Sequence, residues 1–277
     1  MSKKITTHIT TAAKGLVIGG TMLVPGVSGG SMAMILGIYK RLVSSISSFF
    51  KDVKNNIVFL GIFVVGALAG MAIFAKPLLA LIEAFPKPML YFFMGAVAGG
   101  IPMMYRESKV KRISVLHILY VLIGIAIVIL LGLLPTDFLN SEGMPGAVQF
   151  LIQLAAGAVA AIALILPGIS VSYMLLVLGI YEPTVAAIGN LDILYLLPLG
   201  IGVVLGILLT TKLLETFMNK YPSVTYLVIL GFILGSLKET FPGIPSGVEW
   251  LICIGTIVLG FMAIYSLSKF ESSYESK

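Results

Sequence analysis

The chain has 277 residues, of which 58% are hydrophobic and only 11% are charged, and its mean hydropathy is +1.08. This composition excludes an ordinary soluble domain, in which about 25% of the residues carry a charge. The net charge of +6 lies in short basic segments beside apolar stretches, which is typical of the cytoplasmic loops of membrane proteins and not of nucleic-acid binding. We therefore predict an all-α polytopic membrane protein that lies among bilayer lipids and binds no nucleic acid.

The first predicted repeat unit, residues 1–140, opens with an apolar segment that is broken in the middle. We interpret residues 12–39 as a re-entrant hairpin of two short half-helices, because basic residues flank this segment on both sides and indicate that both ends are cytoplasmic. Each apolar stretch that follows approaches the roughly 20 residues that a helix needs to cross the hydrocarbon core. Three spans are predicted, at residues 57–75, 89–105 and 113–134.

The second predicted unit, residues 141–277, starts from the opposite side of the membrane, because the loop before it contains Asp137 and Glu142 and no basic residue. Its hairpin covers residues 146–188. Its three spans are predicted at residues 192–211, 223–237 and 250–268. Because an odd number of crossings separates the two hairpins, we predict two inverted-topology repeats, each with a hairpin and about three transmembrane helices, and both chain termini in the cytoplasm. The alternative is that both hairpins cross the membrane fully, and the repeats are inverted in that case too.

Internal similarity supports this organisation. When residues 15–46 are compared with residues 157–188, at a shift of 142, twelve of 32 positions are identical. At a shift of 136, six further glycine, lysine and proline positions match. They are Gly66, Gly70, Lys76, Pro86, Gly95 and Gly99 in the first unit, and Gly202, Gly206, Lys212, Pro222, Gly231 and Gly235 in the second. Apolar composition alone does not produce ordered matches of these residue types, so we infer an internal duplication.

The two hairpins share a break of the form Pro-Gly-x-Ser, at residues 25–28 and 167–170. Proline interrupts a helix because it lacks an N–H group, and irregular backbone at membrane depth occurs where it is buried in protein or lines a wet cavity. The helix after each break presents unpaired N–H groups, which suit an anion such as phosphate. We therefore predict a phosphate site between the two hairpin tips. Its residues are Pro25, Gly26, Val27, Ser28, Gly29, Gly30 and Ser31, with Pro167, Gly168, Ser170 and Ser172.

Further polar residues are candidates for contact with a headgroup or for proton or cation coupling. A phosphomonoester carries a charge of about −1.5 to −2, so a nearby base is expected. The candidates are Lys76, Lys212 and Arg106 as bases, Tyr39 and Tyr181 beside the headgroup, and Glu83 and Glu215 in coupling. Each group has a simpler alternative: lysines that snorkel to the interface, interfacial tyrosines and glutamates that face water. The two Pro-Gly breaks also have a simpler alternative, in which each is only a kink in a membrane helix.

The first motif reads P-G-V-S-G-G-S-M-A-M-I-L-G-I-Y at residues 25–39, and its weaker copy reads P-G-I-S-V-S-Y-M-L-L-V-L-G-I-Y at residues 167–181. With these motifs the chain resembles the polyprenyl-phosphate transporter (PopT) family over essentially its whole length. The resemblance implies a transporter of the bacterial cytoplasmic membrane that returns undecaprenyl phosphate, the lipid carrier of cell-wall precursors, from the outer to the cytoplasmic leaflet. A phosphate bound between the two hairpin tips predicts alternating access as its mechanism. The second copy has a valine and a tyrosine where the first has Gly29 and Ser31, so the first tip is the better candidate for the phosphate.

Two other functions stay open at this point. A secondary transporter of a small soluble anion would use the same broken helices around a closed vestibule, whereas a lipid substrate requires an opening toward the bilayer. The other is an intramembrane polyprenyl-pyrophosphate phosphatase, but Gly29 occupies the position where such an enzyme is expected to have an arginine. A hydrolase also needs an activated nucleophile, and the sequence has no paired-glutamate motif. We predict no catalytic residue, no metal and no cofactor.

Overall fold

The computed structural model describes residues 2–24, 27–135 and 146–275, and every regular element in these ranges is helical. The first six α-helices are α1 (Ser2–Thr21), α2 (Gly29–Ile35), α3 (Tyr39–Ser47), α4 (Val53–Ala84), α5 (Pro86–Glu107) and α6 (Val115–Leu131), with a 3₁₀ turn at Phe49–Lys51. The next six are α7 (Gly146–Ile165), α8 (Val171–Val177), α9 (Tyr181–Gly189), α10 (Ile193–Lys220), α11 (Pro222–Thr240) and α12 (Glu249–Glu275).

Five of the described helices, α4, α5, α7, α10 and α12, are long and apolar enough to cross a bilayer. Helices α8 and α9, bent by 114°, add a sixth if they form one broken span. Large apolar side chains cover the outer surface, and Leu194 and Leu251 are 84% and 73% exposed. Such a surface suits hydrocarbon and not water. The prediction of an all-helical, multi-pass membrane protein is therefore confirmed, while Asp137 and Glu142 lie outside the described residues.

Helices α4 and α10, with 32 and 28 residues, extend beyond the spans predicted from the sequence. The predicted spans end just before Lys76 and Lys212, but both lysine side chains are exposed, and a lysine that snorkels to the interface does not end a helix. Each helix instead ends two residues before a proline, Pro86 or Pro222, which begins the next helix. Proline suits this position because the first helical turn does not need its N–H group.

The two arms of each predicted hairpin differ in length. The first arms, α1 and α7, have 20 residues each, whereas the second arms, α2 and α8, have only seven. Two short half-helices were expected in each hairpin, but only the second arm is short; the first arm, α1 or α7, is a long helix. At the polar start of α1, threonine hydroxyls are satisfied within the helix by carbonyl groups one turn back; for example, the Thr11 hydroxyl donates to the Thr7 carbonyl oxygen at 2.8 Å.

The long helices pack in four parallel pairs, α1 with α4, α7 with α10, α5 with α12 and α6 with α11, and glycines lie along each contact. A methyl group added at Gly70 would lie 2.0 Å from the Leu16 carbonyl oxygen, and one at Gly202 would lie 2.0 Å from that of Leu154. The two backbones therefore touch with no side chain between them, as small residues permit in membrane helices. The glycines that match between the two units are packing positions.

Helix α2, which follows the first break, packs against α1 and α5 in the core, and its buried residues share one apolar cluster with residues of α11. Met32 and Ile35 of α2 and Ile229 and Ile233 of α11 are at most 2% exposed and belong to one apolar cluster. Because α2 follows the break directly, this packing holds the first tip inside the protein and away from the surrounding lipid.

Candidate functional site

Each break ends in a serine that caps the next helix. The Ser28 Oγ accepts a hydrogen bond from the Ser31 N–H at 3.0 Å at the start of α2. The Ser170 Oγ accepts one from the Tyr173 N–H at 3.3 Å at the start of α8. Serine is favoured at this position because its side chain satisfies an N–H group that the helix itself cannot. The first of these helices begins where the sequence predicts.

The two tips are in direct contact. The Gly168 N–H donates a hydrogen bond to the Ser28 Oγ at 3.2 Å, across 140 residues of sequence. A methyl group at Gly30 would lie 3.3 Å from the Pro167 Cα. Gly168 has a φ of +82°, which side chains disfavour, and an added methyl group there would lie 2.5 Å from the Phe232 carbonyl oxygen. This contact agrees with the expectation that the two breaks approach each other.

A cavity of about 560 Å³ lies beside the contact. Its polar end is formed by both tips, through Ser28, Gly29, Gly30, Gly168, Ser170 and Ser172. Its apolar wall comes from α3 and α4, through Leu42, Val43, Ile46, Leu60, Phe63 and Val64. The volume falls within the range of roughly 300–1,000 Å³ that is typical of small-ligand sites. The cavity thus combines a hydrogen-bonding end with a hydrocarbon-like wall.

The cavity has a side opening. Its lining residues Met22, Val64 and Leu164 are 43%, 49% and 47% exposed. These three side chains therefore face the cavity and also form part of the exposed apolar surface. A ligand at this opening can contact the tips and the exposed apolar surface at the same time.

Ser31 faces away from this cavity. It is 4% exposed, and its hydroxyl lies 2.7 Å from the Ser28 Oγ. It lines a separate cavity of about 10 Å³, whereas Val27 lines both. Ser31 therefore maintains the shape of the first tip. Pro25 and Gly26, the remaining members of the predicted first tip, lie outside the described residues.

The matched tyrosines differ in their surroundings. Tyr39 is 4% exposed, lines the cavity and donates a hydrogen bond from its hydroxyl to the Ile165 carbonyl oxygen at 2.6 Å. It is therefore not an interfacial anchor, and it ties the start of α3 to the end of α7. Tyr181 is half-buried and is not among the residues that line the cavity. Sequence reasoning missed this tie because a backbone acceptor leaves no signal in the sequence.

Four of the charged candidates lie away from the cavity. Lys76, Lys212, Arg106 and Glu83 are exposed, and none of them lines it. Among the described residues, the lining contains hydroxyl and backbone groups as its polar atoms and no acidic or basic side chain. An anion at the tips would therefore be held by hydrogen bonds from neutral groups.

Glu215 connects α10 to α3. Its carboxylate accepts hydrogen bonds from the hydroxyls of Ser44 at 2.5 Å, of Ser48 at 3.4 Å and of Ser47. The glutamate was a sequence candidate, but its serine partners were not. Ser44 and Ser47 are three positions apart and hence on one face of α3, a spacing from which they could have been identified.

The described residues contain no group of side chains suited to a metal ion. Within residues 2–24, 27–135 and 146–275, no three His, Cys, Asp or Glu side chains are grouped so that they could hold a metal ion. Cys253 is a buried free thiol in α12, and His117 lies 2.8 Å from the Ser114 hydroxyl at the start of α6. Neither residue lines the cavity.

Known proteins resemble this chain over most of its length. A polyprenyl-phosphate transporter of Staphylococcus aureus is 33% identical over 273 residues, which cover 95% of this chain and 96% of that protein. A polyprenyl-phosphate transporter of Vibrio cholerae is 31% identical over 256 residues, which cover 87% of this chain and 80% of that protein. No solved structure matches the chain. The undecaprenyl phosphate translocase-like family matches residues 18–252, a range that contains both breaks and the cavity, and the chain therefore belongs to that family.

Proposed function

We propose that the protein transports a polyprenyl phosphate across the bilayer, with the phosphate bound at the two tips and the prenyl chain leaving through the side opening. The observation that carries the proposal is the cavity, which has serine hydroxyls at its polar end, an apolar wall and an opening onto the exposed apolar surface. Both similar proteins are named polyprenyl-phosphate transporters, which supports the same substrate class here.

Hydrogen-bond donors at the tips suit a phosphate group. Gly29 and Gly30 lie in the first turn of α2, where N–H groups have no partner within the helix, and neither has a side chain that would keep a ligand away. Ser170 and Ser172 add hydroxyl groups from the second tip. Because these donors are neutral, the phosphate can leave without the separation of an ion pair.

The apolar wall suits the first isoprene units of the chain. Leu60, Phe63 and Val64 present hydrocarbon surface beside the polar end. A cavity of this size encloses a drug-sized ligand and not a long prenyl chain, so the rest of the chain stays in the bilayer. A small soluble anion would leave the apolar wall and the side opening unused, which favours the lipid.

We also infer that the two units are inverted repeats, and that they return the lipid from the outer to the cytoplasmic leaflet of a bacterial cytoplasmic membrane by alternating access. The helix pairs support two equivalent units, because α1 packs with α4 as α7 packs with α10, and α5 packs with α12 as α11 packs with α6. Exchange of two equivalent units produces this pattern. Basic residues before α4 and between α5 and α6 support cytoplasmic termini.

Movement of a fluorescent polyprenyl phosphate in proteoliposomes tests the proposal. Gly30→Leu places a branched side chain against the Pro167 Cα, which lies 3.3 Å from an added methyl group. The larger side chain forces the two tips apart, so we expect the lipid to move at least tenfold more slowly. Gly61→Leu is the matched control, since nothing lies within 4 Å of a methyl group added there.

The same proteoliposomes, supplied with other substrates, separate the candidate functions. Equal rates in the Gly30→Leu variant and the wild type would reject the tips as the site. Release of inorganic phosphate from a polyprenyl pyrophosphate by the wild type would instead support the phosphatase. Uptake of inorganic phosphate without movement of the lipid would support the soluble-anion carrier.

The side opening leads to a second prediction. Val64→Trp enlarges a side chain at the opening, and we expect lipid movement to fall several-fold because the chain has less room to pass. Val65→Trp is the control, because Val65 is 68% exposed on the same helix and does not line the cavity. An equal effect of the two changes on the rate in proteoliposomes would argue against a lateral route.

A further inference from the structure

The tie between Tyr39 and Ile165 connects the two repeat units, and the shift of 142 residues defines its mirror image, Tyr181 with Leu23. Tyr39 is 4% exposed and donates to the Ile165 carbonyl oxygen at 2.6 Å. Within the described part of the chain, Tyr181 is half-buried and makes no corresponding bond to Leu23. Equivalent residues are thus bonded at one position and unbonded at its mirror position.

The short helices α3 and α9 differ in the same way. Helix α3 packs against α10, where the Glu215 carboxylate accepts a hydrogen bond from the Ser44 hydroxyl at 2.5 Å. The mirror contact would join α9 to α4, but in the described residues α9 packs mainly against α8 and α10. In transporters built from two inverted repeats, alternating access moves one unit against the other, and such a motion would exchange the unequal contacts of α3 and α9.

We propose that Tyr39 and Tyr181 are alternating latches, a proposal that rests on the transport function argued above. In the conformation described here, the Tyr39 latch is closed and α3 seals its end of the cavity against α10. In the opposite conformation, the Tyr181 hydroxyl donates to the Leu23 carbonyl oxygen, α9 packs against α4, and α3 moves away from α10. The tips then become accessible from the end that α3 now seals.

The chemistry of tyrosine explains why both motifs end in this residue. Its ring fills the space between a short helix and the opposite tip, and its hydroxyl finds an acceptor in that tip only when the helix is docked. A buried hydroxyl without a partner is unfavourable, so each latch is either docked and bonded or undocked and hydrated. Glu215 strengthens one latch alone, because its mirror position is Leu79 and that of Ser44 is Ala186. The conformation with α3 docked is therefore the favoured one without substrate.

Distances between spin labels test the latches without any lipid substrate. The free Cys253 is first replaced by alanine. Cysteines for labelling are then placed at Lys40 and Lys212 (the α3 pair) or at Glu182 and Lys76 (the α9 pair). All four positions are exposed, and the shifts of 142 and 136 make the two pairs mirror images.

We expect Tyr39→Phe to add a population in which the α3 pair is farther apart and the α9 pair is closer. This population should rise roughly two- to tenfold, the factor by which loss of one hydrogen bond shifts an equilibrium. Glu215→Gln, which retains the volume of the side chain, should shift both pairs in the same direction. Tyr181→Phe is the matched control and should leave both distances unchanged, because Tyr181 is undocked in this conformation.

Unchanged distances in both the Tyr39→Phe and Glu215→Gln variants would overturn the proposal, and so would equal effects of Tyr39→Phe and Tyr181→Phe. The result is independent of the transport assay. Normal lipid movement with unchanged distances rejects the latches alone. A shifted population in a protein that moves no lipid phosphate keeps the two conformations and rejects the proposed substrate.

Discussion

Replacement of Gly168 by alanine is expected to lower the rate of lipid movement by more than tenfold, the larger of the effects expected at the two tips. The residue has a φ of +82°, and the new methyl group would lie 2.5 Å from the Phe232 carbonyl oxygen and 2.9 Å from the Ile233 nitrogen. Backbone of α11 cannot yield as a side chain would, so the second tip must shift. The hydrogen bond from the Gly168 N–H to the Ser28 Oγ is then lost. Rates in proteoliposomes measure the effect.

A matched control separates the contact from the backbone strain. Gly243 has a φ of +86°, and nothing lies within 4 Å of a methyl group added there. Gly243→Ala therefore introduces the same strain, about 1–2 kcal/mol for a left-handed residue, without the clash. Normal movement in Gly243→Ala and loss in Gly168→Ala would assign the effect to the tips. Normal movement in both variants would show that the tip contact is not needed for transport.

Gly70→Val, at the close contact between the backbones of α1 and α4 (the seam), is expected to lower the free energy of unfolding strongly. The first added carbon would lie 2.0 Å from the Leu16 carbonyl oxygen, so the two backbones must move apart. Overpacking typically costs about 1–3 kcal/mol, and we expect a value at the upper end because backbone must give way. Gly202→Val, with its first carbon 2.0 Å from the Leu154 carbonyl oxygen, should cost a similar amount in the seam between α7 and α10.

Thermal unfolding in detergent measures this loss of stability, and the chain supplies a control on each helix. Nothing lies within 4 Å of a methyl group at Gly61 of α4 or at Gly200 of α10. Gly61→Val and Gly200→Val should therefore leave the midpoint of unfolding nearly unchanged. If the seam variants and the controls had the same midpoint, close backbone packing would not be what holds these pairs together.

Local chemistry made part of the fold predictable from the sequence. The Pro-Gly-x-Ser motif predicts a break followed by a helix, and α2 follows the first break as expected, because the break depends only on residues within one turn. The ends of the spans were less predictable. The predicted span ends just before Lys76, but the flexible side chain of this lysine can reach the interface while the helix continues to Ala84.

The internal duplication made the second tip of the site predictable from the sequence. Because Pro167 and Gly168 repeat an earlier motif, they could be assigned to a second tip before any contact was known. Long-range partners could not be found in this way. The Ile165 carbonyl oxygen that holds Tyr39 is a backbone atom, and any residue type supplies one. The lysine and arginine candidates were chosen by charge, which does not reveal the face of the helix that they occupy.

The side opening at Val64 and Leu164 has a consequence for which lipids such a protein can serve. Moving hydrocarbon into water costs about 0.8 kcal/mol per CH₂ group, but a chain that stays in the bilayer throughout never meets that cost. Recognition by the proposed site is then confined to the phosphate and to the first isoprene units, which lie against the apolar wall. The number of isoprene units beyond these does not enter the energetics, so carriers of different chain length would be equivalent substrates for the same protein.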